Sequence, residues 1–103
     1  MIIEHNSDNP VVLGETPVLL DFYATWCGPC KVTGKYLEEF SNKYPEIIIY
    51  KINVDEQPDI AETFSVMNLP TLIYTNLNET FWRHIGLITA KQLEEKINES
   101  KPN

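Results

Sequence analysis

The sequence predicts an α/β fold built on a mixed sheet, parallel in its first half and antiparallel in its second, with helices able to cover both faces. Three observations lead there. Two apolar runs flank a segment of helical period at the spacing of a βαβ unit, whose strands pair in parallel through a right-handed crossover. Two later apolar runs are joined by only four residues, "NLNE", a link so short that it makes an antiparallel hairpin. A chain of 103 residues has room for one core, so residues 1–103 are expected to form one domain.

Each element has its own signal. "VLLDFYA" (18–24) is an apolar run broken by one acid, Asp21, and suits a buried strand. In "GPCKVTGKYLEEFSNKY" (28–44), Val32, Tyr36, Phe40 and Tyr44 recur every four positions with Leu37 beside them, which predicts one face of an amphipathic helix. Pro45 ends that helix. "IIIYKINV" (47–54) is rich in β-branched residues and reads as the second strand. Pro58 opens a short helix, "PDIAETFS". "TLIYT" (71–75) and "TFWRHIG" (80–86) form the hairpin, with Asn76 or Asn78 able to take the left-handed conformation in its turn. Thr89 and Gln92 have the spacing of a capping box, and Leu93 and Ile97 supply the buried stripe of a last helix. The first 17 residues are the least legible: "MIIEH" suits an edge strand, and Pro10 and Pro17 bracket a loop or short helix.

Composition excludes several functions. A 43% hydrophobic content in a chain of this length supports a core without covalent staples. A net charge of −7 argues against nucleic acid and against anionic membrane surfaces, both of which call for a basic face. No run of 18 apolar residues is present to span a bilayer. "MIIEHNSDNP" lacks the basic and apolar regions of a secretory signal, so a soluble cytoplasmic protein is expected. Two cysteines are too few for a disulfide-rich scaffold or a four-cysteine zinc site.

Those cysteines lie in "ATWCGPCK" (24–31), at a strand-to-helix junction. Cys27 stands at the mouth of the helix, and Pro29 is tolerated because the first turn has no internal N–H bond to lose. Cys30 lies three residues on, which puts both sulfurs on the same side of that turn. Unpaired N–H groups and the positive end of the helix dipole stabilise a thiolate there, lowering the thiol pKa from about 8.5 toward neutrality. Cys27 is expected to gain most and to be the nucleophile. Cys30, one turn deeper, is expected to be more buried and to act second. The competing readings are a structural disulfide, or half of a zinc site with His5 and His84. A three-residue loop is too small to stabilise much, and the two histidines lack paired ligand spacing. No metal site is expected.

At this point the sequence resembles a known family. "WCGPCK" after "VLLDFYAT", "KINVDEQPDIAETFSVMNLPTL" and "HIGLITAKQL" are similar, in order and in spacing, to segments of the thioredoxins over about residues 18–97. The resemblance implies a thioredoxin-like fold and a thiol–disulfide oxidoreductase that reduces protein disulfides through Cys27 and Cys30. It implies no bound cofactor: electrons come from NADPH through a separate flavoprotein, a thioredoxin reductase, and this chain has no dinucleotide-binding glycine motif of its own. Disulfide-containing proteins are the implied substrates and a monomer the implied state. A thiol oxidant or isomerase on the same fold, and a non-enzymatic binding or assembly module, are the rival readings.

Supporting residues follow from the same resemblance. Taken alone, Asp21 is open between an acid on a half-exposed strand and a functional carboxylate whose burial raises its pKa. The family's matching Asp exchanges protons with the deeper cysteine. Lys51 lies on the neighbouring strand, about 4.8 Å away in an ordinary sheet, and either meets Asp21 or reaches solvent. Pro70 in "NLPT" matches a proline that follows a cis bond beside the thiols, a backbone position with no N–H and no metal-ligating group. Gly28 and Pro29, with Thr25, Trp26, Val54, Asn68, Leu69, Ile85 and Gly86, match a shallow rim that accepts an extended peptide. Ordinary packing competes with that role at Val54, Leu69 and Ile85. Departures from the usual pattern fall at Tyr23 (commonly Trp), Lys35 (commonly Pro), and Ser65 and Asn78 (frequently Gly), with a bulky Phe81–Trp82 pair and a short N-terminal stretch.

Overall fold

The computed structural model describes residues 1–100. A short edge strand, β1 (Ile2–Glu4), precedes β2 (Val18–Tyr23), α1 (Gly28–Lys43), β3 (Ile49–Asn53), α2 (Pro58–Thr63), β4 (Thr71–Thr75), β5 (Thr80–Ile85) and α3 (Ala90–Glu99). The strands form one sheet in the order β1-β3-β2-β4-β5. β3 pairs in parallel with both β1 and β2, while β4 pairs antiparallel with β2 and β5. The expected mixed sheet is therefore present, and "MIIEH" does supply its parallel edge.

Two cores flank the sheet. Leu19, Ile49, Leu72 and Tyr74 pack with Leu37 and Phe40 of α1 and with Leu93 and Ile97 of α3. On the other face Leu20, Phe22, Tyr50, Ile52 and Ile73 pack with Ala61 of α2 and with Val11 and Leu13 of the N-terminal segment. Because β2 and β4 are covered on both faces, their residues are almost all buried. That is why these strands read as continuous apolar runs rather than as alternating ones.

Two expectations are corrected. The buried stripe of α1 is Cys30, Thr33, Leu37 and Phe40, whereas Val32 is 43% exposed. The steps of three, four and three track a 3.6-residue turn, and a strict four-residue repeat drifts off the face. In the β4–β5 turn neither asparagine is left-handed; Asn76 Oδ1 instead accepts from the backbone N–H of Asn78 and Glu79, both at 2.9 Å. Among the described non-glycine residues the left-handed one is Ser65, at φ 54°, just past α2. The Arg83 guanidinium, reaching across from β5, donates to the carbonyls of Phe64 and Ser65 and closes that helix end. Residues 10–17 form a loop, one of the two readings the sequence leaves open for them. The capping box of α3 is as expected, with Thr89 and Gln92 each bonding the other's backbone.

Candidate active site

Cys27 is the N-cap of α1. Its backbone is extended (φ −90°, ψ 108°) and its Sγ accepts from the Cys30 N–H at 3.2 Å. The sequence places it there because β2 ends at Tyr23 and Pro29 is pre-set for the first helical turn. Cys27 and Cys30 are disulfide-bonded, with their Cα atoms 5.2 Å apart. The greater burial expected of Cys30 is slight: the two residues are 6% and 3% exposed. A closed disulfide puts both sulfurs under the same cover.

What separates the two cysteines is the company each keeps. Cys27 lines a pocket of about 410 Å³ with Trp26, Val54, Val66, Met67, Asn68 and Leu69. Cys30 lines another, of about 430 Å³, whose walls include Tyr23, Thr25, Lys31, Lys35, Glu38 and Lys51. Of the expected rim, Trp26, Val54, Asn68 and Leu69 therefore meet at Cys27. Thr25 lies on the Cys30 side. Gly28 and Pro29 are exposed on the first helical turn and line neither pocket.

The loop opposite the cysteines is tied down at several points. The Leu69–Pro70 bond is cis. Thr71 Oγ1 donates to the Asn68 carbonyl at 2.5 Å, and the Gly86 N–H donates to the Pro70 carbonyl at 2.9 Å. Gly86 has φ +97°, a conformation that glycine adopts without strain. Its neighbour Ile85 is 55% exposed, opposite Thr71 in the ladder.

Asp21 lies in the middle of β2 and is 1% exposed. Its ladder partners are Lys51 on β3 and Leu72 on β4. Neither carboxylate oxygen has a protein hydrogen bond; the Lys51 Nζ stands 3.5 Å from Oδ2. Burial pushes the Asp21 carboxyl up to about 6, against the pull of the Lys51 charge. Lys51 satisfies both earlier readings at once: its ammonium meets Asp21 while its side chain stays 24% exposed.

Sequence reasoning missed four contributors. Val66 and Met67 line the Cys27 pocket, and Met67 is 87% exposed; a large apolar residue just before "NLPT" was the available signal. Asp55 accepts from the Trp26 indole N–H at 2.9 Å and is itself turned by Asn53, whose Oδ1 accepts from the Asp55 N–H at 3.0 Å. An Asn–x–Asp after a strand is an ordinary turn signal and gave no hint of the indole. Gly34 leaves room for Lys51: a Cβ there would stand 3.3 Å from Nζ. A glycine inside a helix, at about 1 kcal/mol against alanine, was a legible sign of a close approach. Among the described residues no group of three or more His, Cys, Asp and Glu is arranged to hold a metal.

Comparison with known proteins agrees with this geometry. A family model described as Thioredoxin matches residues 2–99. The thioredoxin of Buchnera aphidicola is 32% identical over 100 residues, covering 96% of this chain and 93% of that one. The thioredoxin of Alicyclobacillus acidocaldarius is 38% identical over 87 residues, covering 84% and 83%. Mitochondrial thioredoxin 3 of Saccharomyces cerevisiae, in its oxidized form, superposes with a TM-score of 0.72 at 36% identity, over 81% of this chain and 77% of that one. A disulfide that closes on a helix N-cap thus sits in a fold and a sequence that point the same way. The chain belongs to the thioredoxin family and is a dithiol–disulfide oxidoreductase that reduces protein disulfides.

Proposed function

We propose that Cys27 is the attacking thiol, Cys30 the resolving thiol and Asp21 the group that takes the Cys30 proton. The observation that carries this order is the cap: Cys27 is the N-cap of α1 and its Sγ accepts from the Cys30 N–H. That donor and the helix dipole favour a thiolate at Cys27. The Cys27 thiolate attacks one sulfur of a substrate disulfide, forming a mixed disulfide and releasing the first substrate thiolate. Cys30 then gives its proton to the Asp21 carboxylate and attacks Cys27 Sγ, which releases the second substrate thiolate and closes the Cys27–Cys30 disulfide. Two electrons have passed to the substrate.

Asp21 suits the proton role because burial holds its affinity near neutrality, where a group can both accept and return a proton. Lys51 supplies the counter-charge that lets the carboxylate form. The pocket of Trp26, Val54, Val66, Met67, Asn68 and Leu69, continued by Ile85 and Gly86 across the Pro70 loop, receives the polypeptide around the disulfide. Gly28 and Pro29, exposed beside the sulfurs, edge that surface. NADPH, through a flavin-dependent thioredoxin reductase, restores the dithiol, and the chain works as a single-domain cytoplasmic monomer.

Three measurements test this reading. With dithiothreitol as electron source, the chain reduces a protein disulfide catalytically. With iodoacetamide and mass mapping, reduced protein labels at Cys27 much faster than at Cys30 near neutral pH; preferential Cys30 labelling would reverse the assignment. Cys30→Ser traps the mixed disulfide on Cys27, and loss of that adduct in Cys27→Ser identifies the attacking sulfur.

A further inference from the structure

Lys51 has a carboxylate in register on each side. Glu4 of β1 pairs with it in the sheet ladder, as does Asp21 of β2. Residues paired in a parallel ladder project to the same face of the sheet, so both acids have access to the ammonium. Only Asp21 is ion-paired with it. Glu4 is turned to Tyr23 instead, whose phenol O–H lies 2.9 and 2.8 Å from its two carboxylate oxygens and donates to them. The Tyr23 ring meanwhile lies under Lys51, with Nζ 4.5 Å from its centroid. Tyr23 thus holds both the lysine and the lysine's alternative partner.

We infer that Tyr23 and Glu4 are positioning residues: the phenol keeps the Glu4 carboxylate off Lys51, so the ammonium serves Asp21 alone. Exposed Glu4 would otherwise be the easier partner, because an ion pair at the surface needs no desolvation, whereas Asp21 is buried. Tyr23 can hold this position at any working pH, since burial and the Glu4 carboxylate push its own titration well above the ordinary tyrosine value. The remaining charged groups around the pair are Lys31, Lys35 and Glu38 of α1, which line the pocket with Lys51, and Glu56 beyond β3, which acts on Tyr23. The consequence for the second exchange step rests on the proton role proposed for Asp21; the effect on Asp21 itself does not.

The test is a carbon-13 titration of the Asp21 carboxyl in the oxidised protein, in a double-mutant cycle. Tyr23→Phe keeps the ring and frees Glu4, so the Asp21 midpoint is expected to rise by on the order of half a pH unit. Glu4→Gln alone gives no rise, and in the Tyr23→Phe/Glu4→Gln double variant the rise disappears. The inference is overturned by an unchanged midpoint in Tyr23→Phe, or by a rise that survives in the double variant. The rate of mixed-disulfide resolution against pH is read in the same four proteins. A midpoint that moves while this profile stays fixed supports the positioning and counts against the proton role of Asp21.

Discussion

The two pockets beside the disulfide differ as binding does from proton transfer. Around Cys27 no wall residue is charged, and two large ones stand out to solvent: Trp26 is 70% exposed and Met67 87%. Around Cys30 the walls carry ammonium groups, and one of these, on Lys51, reaches a carboxylate that the sheet has buried. Two cysteines three residues apart thereby work in different surroundings. The helix N-terminus favours Cys27, its N-cap, while the exposures of 6% and 3% show that cover does not tell them apart. What is packed on each side adds to the asymmetry that the cap begins.

The largest way to break the contrast is Asp21→Asn. On the proposed mechanism, resolution of the mixed disulfide slows by about a hundredfold near neutral pH, the lower part of the range for loss of a positioned base. Capture of Cys27 by iodoacetamide changes far less. The same variant reports through stability. The folded protein holds the Asp21 proton up to about pH 6, whereas the unfolded chain releases it near 3.8. Between those values the native state binds the extra proton, so stability falls as pH rises through the window and stays lowered above it. At 1.36 kcal/mol per unit the full penalty is about 3 kcal/mol. Urea unfolding is therefore expected to show Asp21→Asn more stable by up to about 3 kcal/mol at pH 7 and nearly equal to the parent below pH 4. A constant difference across that range would mean that Asp21 is not the group titrating.

Trp26→Ala probes the other pocket. It removes a large exposed ring from the Cys27 side without touching Lys51 or Asp21, and it frees Asp55. KM for a protein disulfide is expected to rise about tenfold, as for loss of one aromatic anchor. The pH profile of resolution stays where it was. A shift in that profile would show that the two sides are coupled.

How much of this was legible in the sequence follows the same division. The βαβ unit, the hairpin and the capping box declare themselves in local period and turn residues, and they were read within a few residues of their true ends. The cysteines declare themselves as the only two in the chain, at a strand-to-helix boundary marked by Pro29. Asp21 was visible as a charge in an apolar run and Lys51 as one feasible partner, but choosing between that contact and solvent requires the ladder register, which is a tertiary fact. Glu4 and Tyr23 lie 19 residues apart and meet only because β1 enters the sheet beside β3. The face of α1 was misread because Val32 and Tyr36 are more apolar than Thr33, and hydrophobicity outweighed the exact helical period in choosing the stripe. Ser65 escaped notice as the left-handed residue because what steadies it, Arg83, comes from β5.

The smallest expected effect gives the finest test of the Cys30 side. Gly34→Ala replaces the least favourable ordinary residue of a helix interior by the most favourable, a gain of about 0.5–1 kcal/mol if nothing else moves. The new Cβ would lie 3.3 Å from Lys51 Nζ, so the ammonium must give by a few tenths of an ångström. A lysine tip on a flexible stem yields easily when it is lightly held, and the expected outcome is a net gain of stability with an Asp21 midpoint that moves less than in Tyr23→Phe. A net loss would mean that the ammonium is pinned between the Tyr23 ring and the Asp21 carboxylate and cannot retreat. In that case the glycine is part of the apparatus that sets the Asp21 proton affinity, and the helix carries its propensity cost to keep the lysine in place.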